Sequence, residues 1–282
     1  MRKFHVAGVA VAAMSLALTA GAFASWPAGS AGGGADPGSS VQPGHPIVLS
    51  RGNLSPAIRS ARNTSRIDST NWAGYAAARP GTVFRYVRAT FFVPYVDCAT
   101  TPNAFSSHWV GLDGLDSRTA EQLGVEAGCA GAIPEYYAWY EMYPGNESSA
   151  FFVKPGNSIA ASVYYNRRDK TFALTLDDTT TGRHFSRILK CTASSCPRSS
   201  AEVISESPSG SRGKPLPLAD YRASGFSDIA VADSPGHRGR LNSRWWSTYQ
   251  IIQVGGSSTR VAGQPTSLFQ GRAFGNYWFR ES

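Results

Sequence analysis

Apolar and polar residues alternate along much of the chain after residue 70, which is the pattern of half-buried β-strands. Between residues 158 and 165 every second position is apolar, and Phe172, Leu174 and Leu176 keep the same spacing before a turn at 178–182. Further strands are predicted at 136–143, 246–254 and 267–279. No window of ten or more residues carries a convincing apolar period of 3.6. Many short strands separated by turn signals predict an all-β sandwich or barrel.

The first 24 residues have the organisation of a secretory signal peptide. A basic start, Met1-Arg2-Lys3, precedes an almost wholly apolar stretch from Val6 to Leu18, and Ala22-Phe23-Ala24 forms a small-x-small cleavage site. No later apolar run reaches the roughly 18 residues that a membrane helix requires. The sequence therefore predicts a secreted, extracellular protein that does not associate with a membrane.

Residues 25–69 are rich in Gly, Pro, Ser and Ala and hold little apolar material to bury. Such a composition predicts a flexible propeptide or linker, in which Ser60-Ala61-Arg62-Asn63 offers a basic processing site. The composition changes at Asn71-Trp72-Ala73-Gly74-Tyr75. A single folded domain is therefore predicted over residues 70–282.

Composition and charge exclude several classes of protein. Hydrophobic residues make up 42% of the chain, aromatic residues 12% and charged residues 16%, so the chain is too apolar to be disordered. The net charge is +8, but the basic residues are scattered and form no run typical of a nucleic-acid-binding protein. We expect a monomer that binds no nucleic acid.

Four cysteines lie in the predicted domain, and an even number in an exported chain suggests two disulfides. Cys191 and Cys196 would close a small local loop, which leaves Cys98 to pair with Cys129. A metal site is the alternative, but it lacks a C-x-x-C spacing and a nearby pair of histidines.

Several common hydrolase motifs are missing from the sequence. It contains no G-x-S-x-G, no H-E-x-x-H and no Asp-Thr/Ser-Gly loop, and His108, His184 and His237 occur singly. If both disulfides form, no cysteine remains as a nucleophile. Carboxylates and amides among aromatic residues are left as the candidate chemistry.

Five segments occur in a specific order along the predicted domain. They are Asn71-Trp-Ala-Gly-Tyr75, His108-Trp-Val-Gly-Leu-Asp-Gly114, Thr119-Ala-Glu-Gln-Leu-Gly124, Tyr137-Ala-Trp-Tyr-Glu-Met-Tyr-Pro144 and Ser200-Ala-Glu-Val-Ile-Ser-Glu206. This set resembles the glutamic peptidases, the eqolisin family of secreted acid proteases, in its bacterial form. The resemblance runs from about residue 70 to the C-terminus.

The resemblance implies a sandwich of two large antiparallel sheets, lectin-like in architecture, and an acid endopeptidase that needs no cofactor or metal and acts on polypeptides. It also implies a catalytic dyad of Gln122, just before Leu123-Gly124, and Glu206, at the end of the last segment. The chain departs from the family pattern at Val203, usually aromatic, and at Ser205, usually aliphatic. These two departures are expected to alter the packing beside Glu206.

The proposed dyad is also chemically reasonable. A carboxylate such as that of Glu206 can take a proton from water and return it to the leaving amine. A neutral amide such as that of Gln122 can stabilise the oxyanion, which is worth about 3 kcal/mol for a single donor. Glutamine does not ionise, so it can donate at acid pH.

A second set of residues is expected to bind substrate or support the dyad: Trp109, Asp113, Trp139, Glu141 and Tyr143. Trp139, Glu141 and Tyr143 share one face of a predicted strand, and a carboxylate among aromatic residues is unfavourable unless it is paired. We therefore expect Glu141 to hydrogen-bond Gln122 and orient it. The plainer alternative is that the aromatic residues belong to the core and Asp113 to a turn.

Two other functions remain open at this point. Aromatic β-sandwich grooves often bind sugars, so a carbohydrate-binding or carbohydrate-cleaving protein is one alternative. Glu202 and Glu206 share a strand face but lie about 13 Å apart along it, beyond the spacing of a glycosidase pair, whereas Glu141 and Glu206 could pair across strands. The other alternative is a catalytically impaired relative of the peptidases.

Overall fold

The structure is a computed structural model that describes residues 48–50, 64–210, 213–255 and 260–282. Its described residues form seventeen strands and no helix, as the alternating pattern predicts. The strands are β1 Val48–Ser50, β2 Thr64–Ser69, β3 Trp72–Ala78, β4 Phe84–Phe92, β5 Phe105–Leu112, β6 Ala120–Ala130, β7 Ile133–Tyr143, β8 Ser148–Phe152, β9 Ser158–Asn166, β10 Thr171–Asp178, β11 Arg183–Leu189, β12 Ser200–Glu206, β13 Ala223–Asp233, β14 Arg238–Gly239, β15 Ser247–Val254, β16 Val261–Pro265 and β17 Phe274–Trp278.

Hydrogen bonds link the strands into one network that folds into two layers. The first layer runs in the order β8-β7-β6-β5-β12-β3-β15-β2-β1. The second runs β11-β10-β9-β4-β13-β17-β16, and β16 joins it to β15 of the first. Every pairing among these strands is antiparallel except that of β2 with β15. The predicted all-β sandwich is confirmed.

The main core lies between the two layers. The first layer contributes alternate residues of its strands, such as Val110, Leu123 and Val203, and the second contributes residues such as Phe91 and Leu174. All five are buried. Because successive side chains of a strand point to opposite faces, the intervening residues of β5, β6 and β12 lie on the other side of the first layer, which we call the outer face.

The outer face carries an apolar cluster of its own. It includes Trp72, Trp109, Trp139, Ile204 and Ile251, all fully buried. The rings of Trp72 and Trp109 meet edge to face with their centroids 4.9 Å apart. Three tryptophans of the five sequence segments therefore form a second apolar layer, whereas Tyr75 of the first segment lies in the main core.

Both expected disulfides are present, Cys98–Cys129 and Cys191–Cys196, with S–S distances of 2.04 Å. Two boundaries differ from the sequence prediction. Strands β1 and β2 belong to the first layer, where β2 pairs with β15, so the sheet begins inside the segment 25–69 that was expected to be flexible. Of the strand expected at 267–279, only Phe274–Trp278 is regular, because a turn and an isolated bridge from Phe269 to Ala273 interrupt its first half.

The signal peptide, the propeptide or linker up to residue 47 and the processing site at 60–63 lie outside the described residues. No helix in the described part of the chain is long and apolar enough to cross a membrane.

Candidate active site

Strand β5 lies between β12 and β6 and fixes which side chains share the outer face. Glu206 is opposite Ser107 of β5, and Ser107 is opposite Glu126 of β6. Four residues along, Gly111 of β5 lies between Glu202 and Gln122. Directly paired residues of neighbouring strands point to the same face. Gln122 and Glu206 therefore lie on one face of the sheet, two strands apart.

Two nitrogen donors hold the carboxylate of Glu206. Asn71 Nδ2 donates to Oε1 at 3.1 Å, and Trp109 Nε1 donates to Oε2 at 2.9 Å. All three residues are fully buried. N–H donors stabilise a carboxylate and fix its orientation. Asn71 begins the first of the five segments, but sequence reasoning gave it no role.

The amide of Gln122 is held by Glu141, as the sequence led us to expect. Gln122 Nε2 donates to Glu141 Oε2 at 2.6 Å across the β6–β7 pair. Gln122 Oε1 and Glu141 Oε1 have no hydrogen-bond partner among the described residues. Burial raises the pKa of Glu141 to about 9, so this carboxyl is protonated over the acid and neutral range.

Trp109 lies between the two halves of the proposed dyad. Its indole nitrogen reaches Glu206, and its Cζ3 atom lies beside Gly111 and Gln122. A Cβ atom at Gly111 would come within 2.9 Å of Trp109 Cζ3 and 3.1 Å of Gln122 Cβ. The glycine of the Trp-Val-Gly motif therefore provides the space that the indole ring and the amide share.

Further carboxyls, for which the sequence analysis gave no site role, lie near Glu206. Glu126 is fully buried and accepts a hydrogen bond from the Ser107 hydroxyl. Burial raises its pKa well above the usual range, and the nearby Glu147 and Glu206 raise it further. Burial also raises the pKa of Glu147, which pairs with Tyr137, to about 8. Register could have identified Glu126, because it lies four residues after Gln122 on the same strand face.

Glu202 differs from Glu206 in its surroundings although the two share a strand face. Both carboxyl oxygens of Glu202 are buried without a hydrogen-bond partner among the described residues. Burial raises its pKa well above the usual value, and Asp113 and Glu121 add to this. A protonated Glu202 cannot accept a proton from water. Its raised pKa and its lack of hydrogen-bond donors distinguish it from Glu206, whose carboxylate is held by two donors.

Asp113 connects the site to the loop that precedes β12. It accepts hydrogen bonds from the backbone N–H groups of Arg198 and Ser199 at 2.6 and 2.7 Å and from the hydroxyl of Thr119 at 3.2 Å. Burial raises its pKa. Asp113 adopts a φ of 69° at the end of β5, so it fixes a turn and the approach to β12.

Trp139 and Tyr143 occupy different positions along β7. Trp139 is fully buried on the outer face opposite Gly124, and its indole nitrogen has no partner among the described residues. Tyr143 is half-buried at the end of the strand, opposite Ala120. Trp139 thus belongs to the apolar cluster that contains Trp109, whereas Tyr143 does not.

The two departures from the family pattern lie behind the site. Val203 packs in the main core, and Ser205 bonds His108 Nδ1 at 2.9 Å and Asn276 Nδ2 at 2.9 Å. Burial lowers the pKa of His108 to about 3. Both substitutions therefore act on the face opposite Glu206.

In the part of the chain that the structure describes, no three His, Cys, Asp or Glu side chains come together as a metal-binding group.

Comparison with known proteins gives the class of this fold and site. The Peptidase A4 family matches residues 70–266. The fold is similar to that of scytalido-glutamic peptidase in complex with a peptide-based transition state analog, with a TM-score of 0.63 and 26% identity over 74% of this chain and 98% of that one. It is also similar to SCP-B, a member of the eqolisin family in complex with the tripeptide Ala-Ile-His (TM-score 0.61, 24% identity, 74% of this chain and 98% of that one).

Aspergilloglutamic peptidase from Aspergillus niger shares the fold at a TM-score of 0.53 and 20% identity, over 62% of this chain and 99% of that one. No curated protein sequence matches the chain. The chain belongs to the Peptidase A4 family, the glutamic peptidases, and is a hydrolase that acts on peptide bonds.

Proposed function

We propose that the protein is a secreted acid endopeptidase in which Glu206 activates water and Gln122 stabilises the oxyanion. The observation that carries this proposal is that both groups are held in place on one face of the sheet. Asn71 and Trp109 orient the carboxylate, and Glu141 orients the amide.

Glu206 is the base in the proposed reaction. Its carboxylate takes a proton from the attacking water and later donates it to the leaving amine. Glu202 and Glu126 are poorer candidates, because burial keeps both protonated. The two N–H donors on Glu206 support its use as the ionised carboxylate.

Gln122 is the proposed oxyanion donor. A side-chain amide has two N–H bonds, and one of them is directed to Glu141. The other can donate to the oxygen of the tetrahedral intermediate, where a single donor is worth about 3 kcal/mol. Because neither this amide nor a protonated Glu141 carries charge, the donor works at low pH.

Secretion and acid operation follow from separate features. The predicted signal peptide at 1–24 and the two disulfides support an extracellular location. The raised pKa values of Glu126, Glu141 and Glu202 support activity at acid pH. At that pH all three buried carboxyls are neutral, so no charge has to be buried.

The test is peptide cleavage by the purified mature protein between about pH 2 and 8, with a quenched peptide substrate and a polysaccharide panel in parallel. We expect an acid maximum, and we expect Gln122→Ala and Glu206→Gln each to lower kcat/KM by about 10³-fold or more. Glu202→Gln is the matched control and should change it less than about fivefold. A chelator should leave the rate unchanged.

Three results would overturn the proposal. They are retention of most activity by a folded Glu206→Gln protein, a maximum at or above neutral pH, and cleavage of a polysaccharide without cleavage of peptides.

A further inference from the structure

A basic cleft lies beside the turn between β9 and β10. Its volume is about 530 Å³, and it is lined by Val83, Tyr165, Arg167, Lys170, Arg198, Ser234 and Pro235. Three of these seven side chains are cationic and none is acidic. None of the proposed catalytic residues lines this cleft.

We infer that this cleft is a binding site for a phosphate group. Three cations around one cavity match the charge of a phosphate better than the single charge of a carboxylate. Arginine also presents a planar set of N–H donors that fits the oxygens of a phosphate.

Arg198 is held in place before any ligand arrives. Its guanidinium carbon lies 3.5 Å from the ring centroid of Tyr165, a close cation–π contact. Its backbone N–H donates to Asp113 at 2.6 Å, and its carbonyl accepts from the Phe84 N–H at 2.7 Å. A guanidinium fixed in this way loses little conformational entropy when it binds an anion.

The acidic residues nearest in sequence are already engaged. Asp169, in the same turn as Arg167 and Lys170, accepts from Asn166 Nδ2 at 2.7 Å. Asp233, which precedes Ser234, bonds the backbone N–H and the ring of His237, both at 2.8 Å. Neither carboxylate lines the cleft, so the three cations are not paired with an acid inside it.

A second cleft of about 500 Å³ shares the wall formed by Val83, Ser234 and Pro235. It adds Arg79, Asp233 and His237, and the His237 ring bonds Asp233 and stacks on Trp245 with the centroids 3.7 Å apart. A chain of phosphates can therefore extend from the first cleft toward Arg79, which a single phosphate does not reach, although it meets the Asp233 carboxylate on the way.

The experiment is calorimetric titration of the purified protein with inorganic phosphate and with tripolyphosphate, at constant ionic strength in chloride. We expect saturable binding at one site. The double variant Arg167→Gln/Lys170→Gln should weaken phosphate binding about tenfold or more, because two charged donors are lost. The control Lys154→Gln/Arg280→Gln removes the same charge at other exposed positions and should change the affinity less than twofold.

Thermal unfolding of both double variants establishes that they are folded, and their peptidase activity should equal that of the parent protein. Tripolyphosphate binding that is about tenfold tighter supports a phosphate chain across both clefts, and equal affinity supports a single phosphate in the first. Absence of saturable phosphate binding, or equal weakening by both double variants, would overturn the inference.

Discussion

Trp109 donates its indole N–H to Oε2 of Glu206 at 2.9 Å, and the same ring lies beside Gln122. One buried aromatic residue thus bonds one member of the proposed dyad and flanks the same glycine, Gly111, as the other. The Trp-Val-Gly motif is for this reason part of the site as well as of the aromatic cluster on the outer face.

Replacing Trp109 with Phe keeps an aromatic ring but removes this donor. We expect kcat to fall about tenfold to a hundredfold, since a hydrogen bond to a charged group is worth about 1.5–3 kcal/mol. The acid limb of the pH profile should move to higher pH, because the carboxylate loses a stabilising donor. Trp139→Phe is the control, because its indole nitrogen has no partner among the described residues. Equal effects of the two substitutions would show that only ring packing matters.

Glu141 is protonated at acid pH, and in this form it accepts a hydrogen bond from Gln122 and positions the amide. The variant Glu141→Gln should therefore keep most activity, because an amide oxygen can accept the same hydrogen bond that a neutral carboxyl accepts. Glu141→Leu removes the acceptor and should lower kcat about tenfold or more with a smaller change in KM. Steady-state kinetics at acid pH distinguish these outcomes. Equal loss in both variants would mean that an ionised Glu141 is required.

The buried carboxyls predict that stability falls as pH rises. The pKa values of Glu121, Glu126, Glu141, Glu147 and Glu202 are all raised, chiefly by burial, so the folded protein binds more protons than the unfolded chain above about pH 4.5. The stabilisation is complete below the unfolded pKa and is lost as pH rises toward the folded values of about 8 and 9 for Glu147 and Glu141. Each fully buried group contributes about 1.4 kcal/mol per pH unit at most.

Urea unfolding between pH 4 and 8 measures this decline in the free energy of unfolding. Glu126→Gln should make it shallower, whereas substitution of the exposed Glu135 by Gln should leave its slope unchanged. A free energy that rises with pH through this range would contradict the assignment.

The buried His108 makes the free energy of unfolding fall as pH decreases, which is the opposite of the effect of the carboxyls. Burial lowers its pKa to about 3, whereas the unfolded residue titrates near 6.5, so stability is lost as pH falls between these values. Its ring contacts Ser205 and packs edge to face on Tyr221, and Asp220 lies beside Tyr221. Six carboxyls with raised pKa values, Asp113 and the five glutamates, outweigh one histidine above pH 4.5, so we expect maximal stability at about pH 4 to 5.

Unfolding free energies of His108→Gln at pH 3.5 and 6.5 test this contribution. The free energy of unfolding at pH 3.5, taken relative to that at pH 6.5, should be higher in the variant than in the parent protein by about 2 kcal/mol or more. The control His184→Gln alters an exposed ring paired with Asp177 and should not change the difference.

The two disulfides should differ in their effect on stability. Cys191 and Cys196 are 5 residues apart and Cys98 and Cys129 are 31 apart. Loop entropy predicts losses of about 2 and 4 kcal/mol when each pair is replaced by serine. The shorter bridge precedes Arg198 and Ser199, whose N–H groups bind Asp113. Replacing Cys191 and Cys196 should therefore lower activity more than replacing Cys98 and Cys129, although it costs less stability. Unfolding and kinetic measurements on both variants test this.

The sequence predicted the local elements well because alternation is a local property. Residues 158–165 and 172–176 are strands as expected, and the cysteine spacing gave both disulfides. The prediction was wrong at 267–273, where aromatic and apolar residues line a turn, and it did not identify β2, whose pairing with β15 is parallel and distant in sequence.

The site was predicted only where its residues lay in motifs. The Gln122–Glu141 bond could be expected from a polar residue among aromatic ones. The roles of Asn71 and Glu126 depend on register across three strands, and register comes from long-range pairing that no single segment specifies. Only the family resemblance separated Glu206 from Glu202, because both are fully buried and their different hydrogen-bond donors arise only in the folded sheet.

The alternation of β12 has a consequence for how relatives of this protein should be recognised. Glu202, Ile204 and Glu206 face outward, whereas Val203 and Ser205 face the interior and its polar contacts. At the interior positions, Val203 and Ser205, substitutions are limited by the volume and hydrogen bonds of the core. At the outward positions they are limited by the requirements of the candidate site. A search pattern that fixes every second residue, Glu-x-Ile-x-Glu, should therefore retain distant members that a contiguous six-residue string would reject.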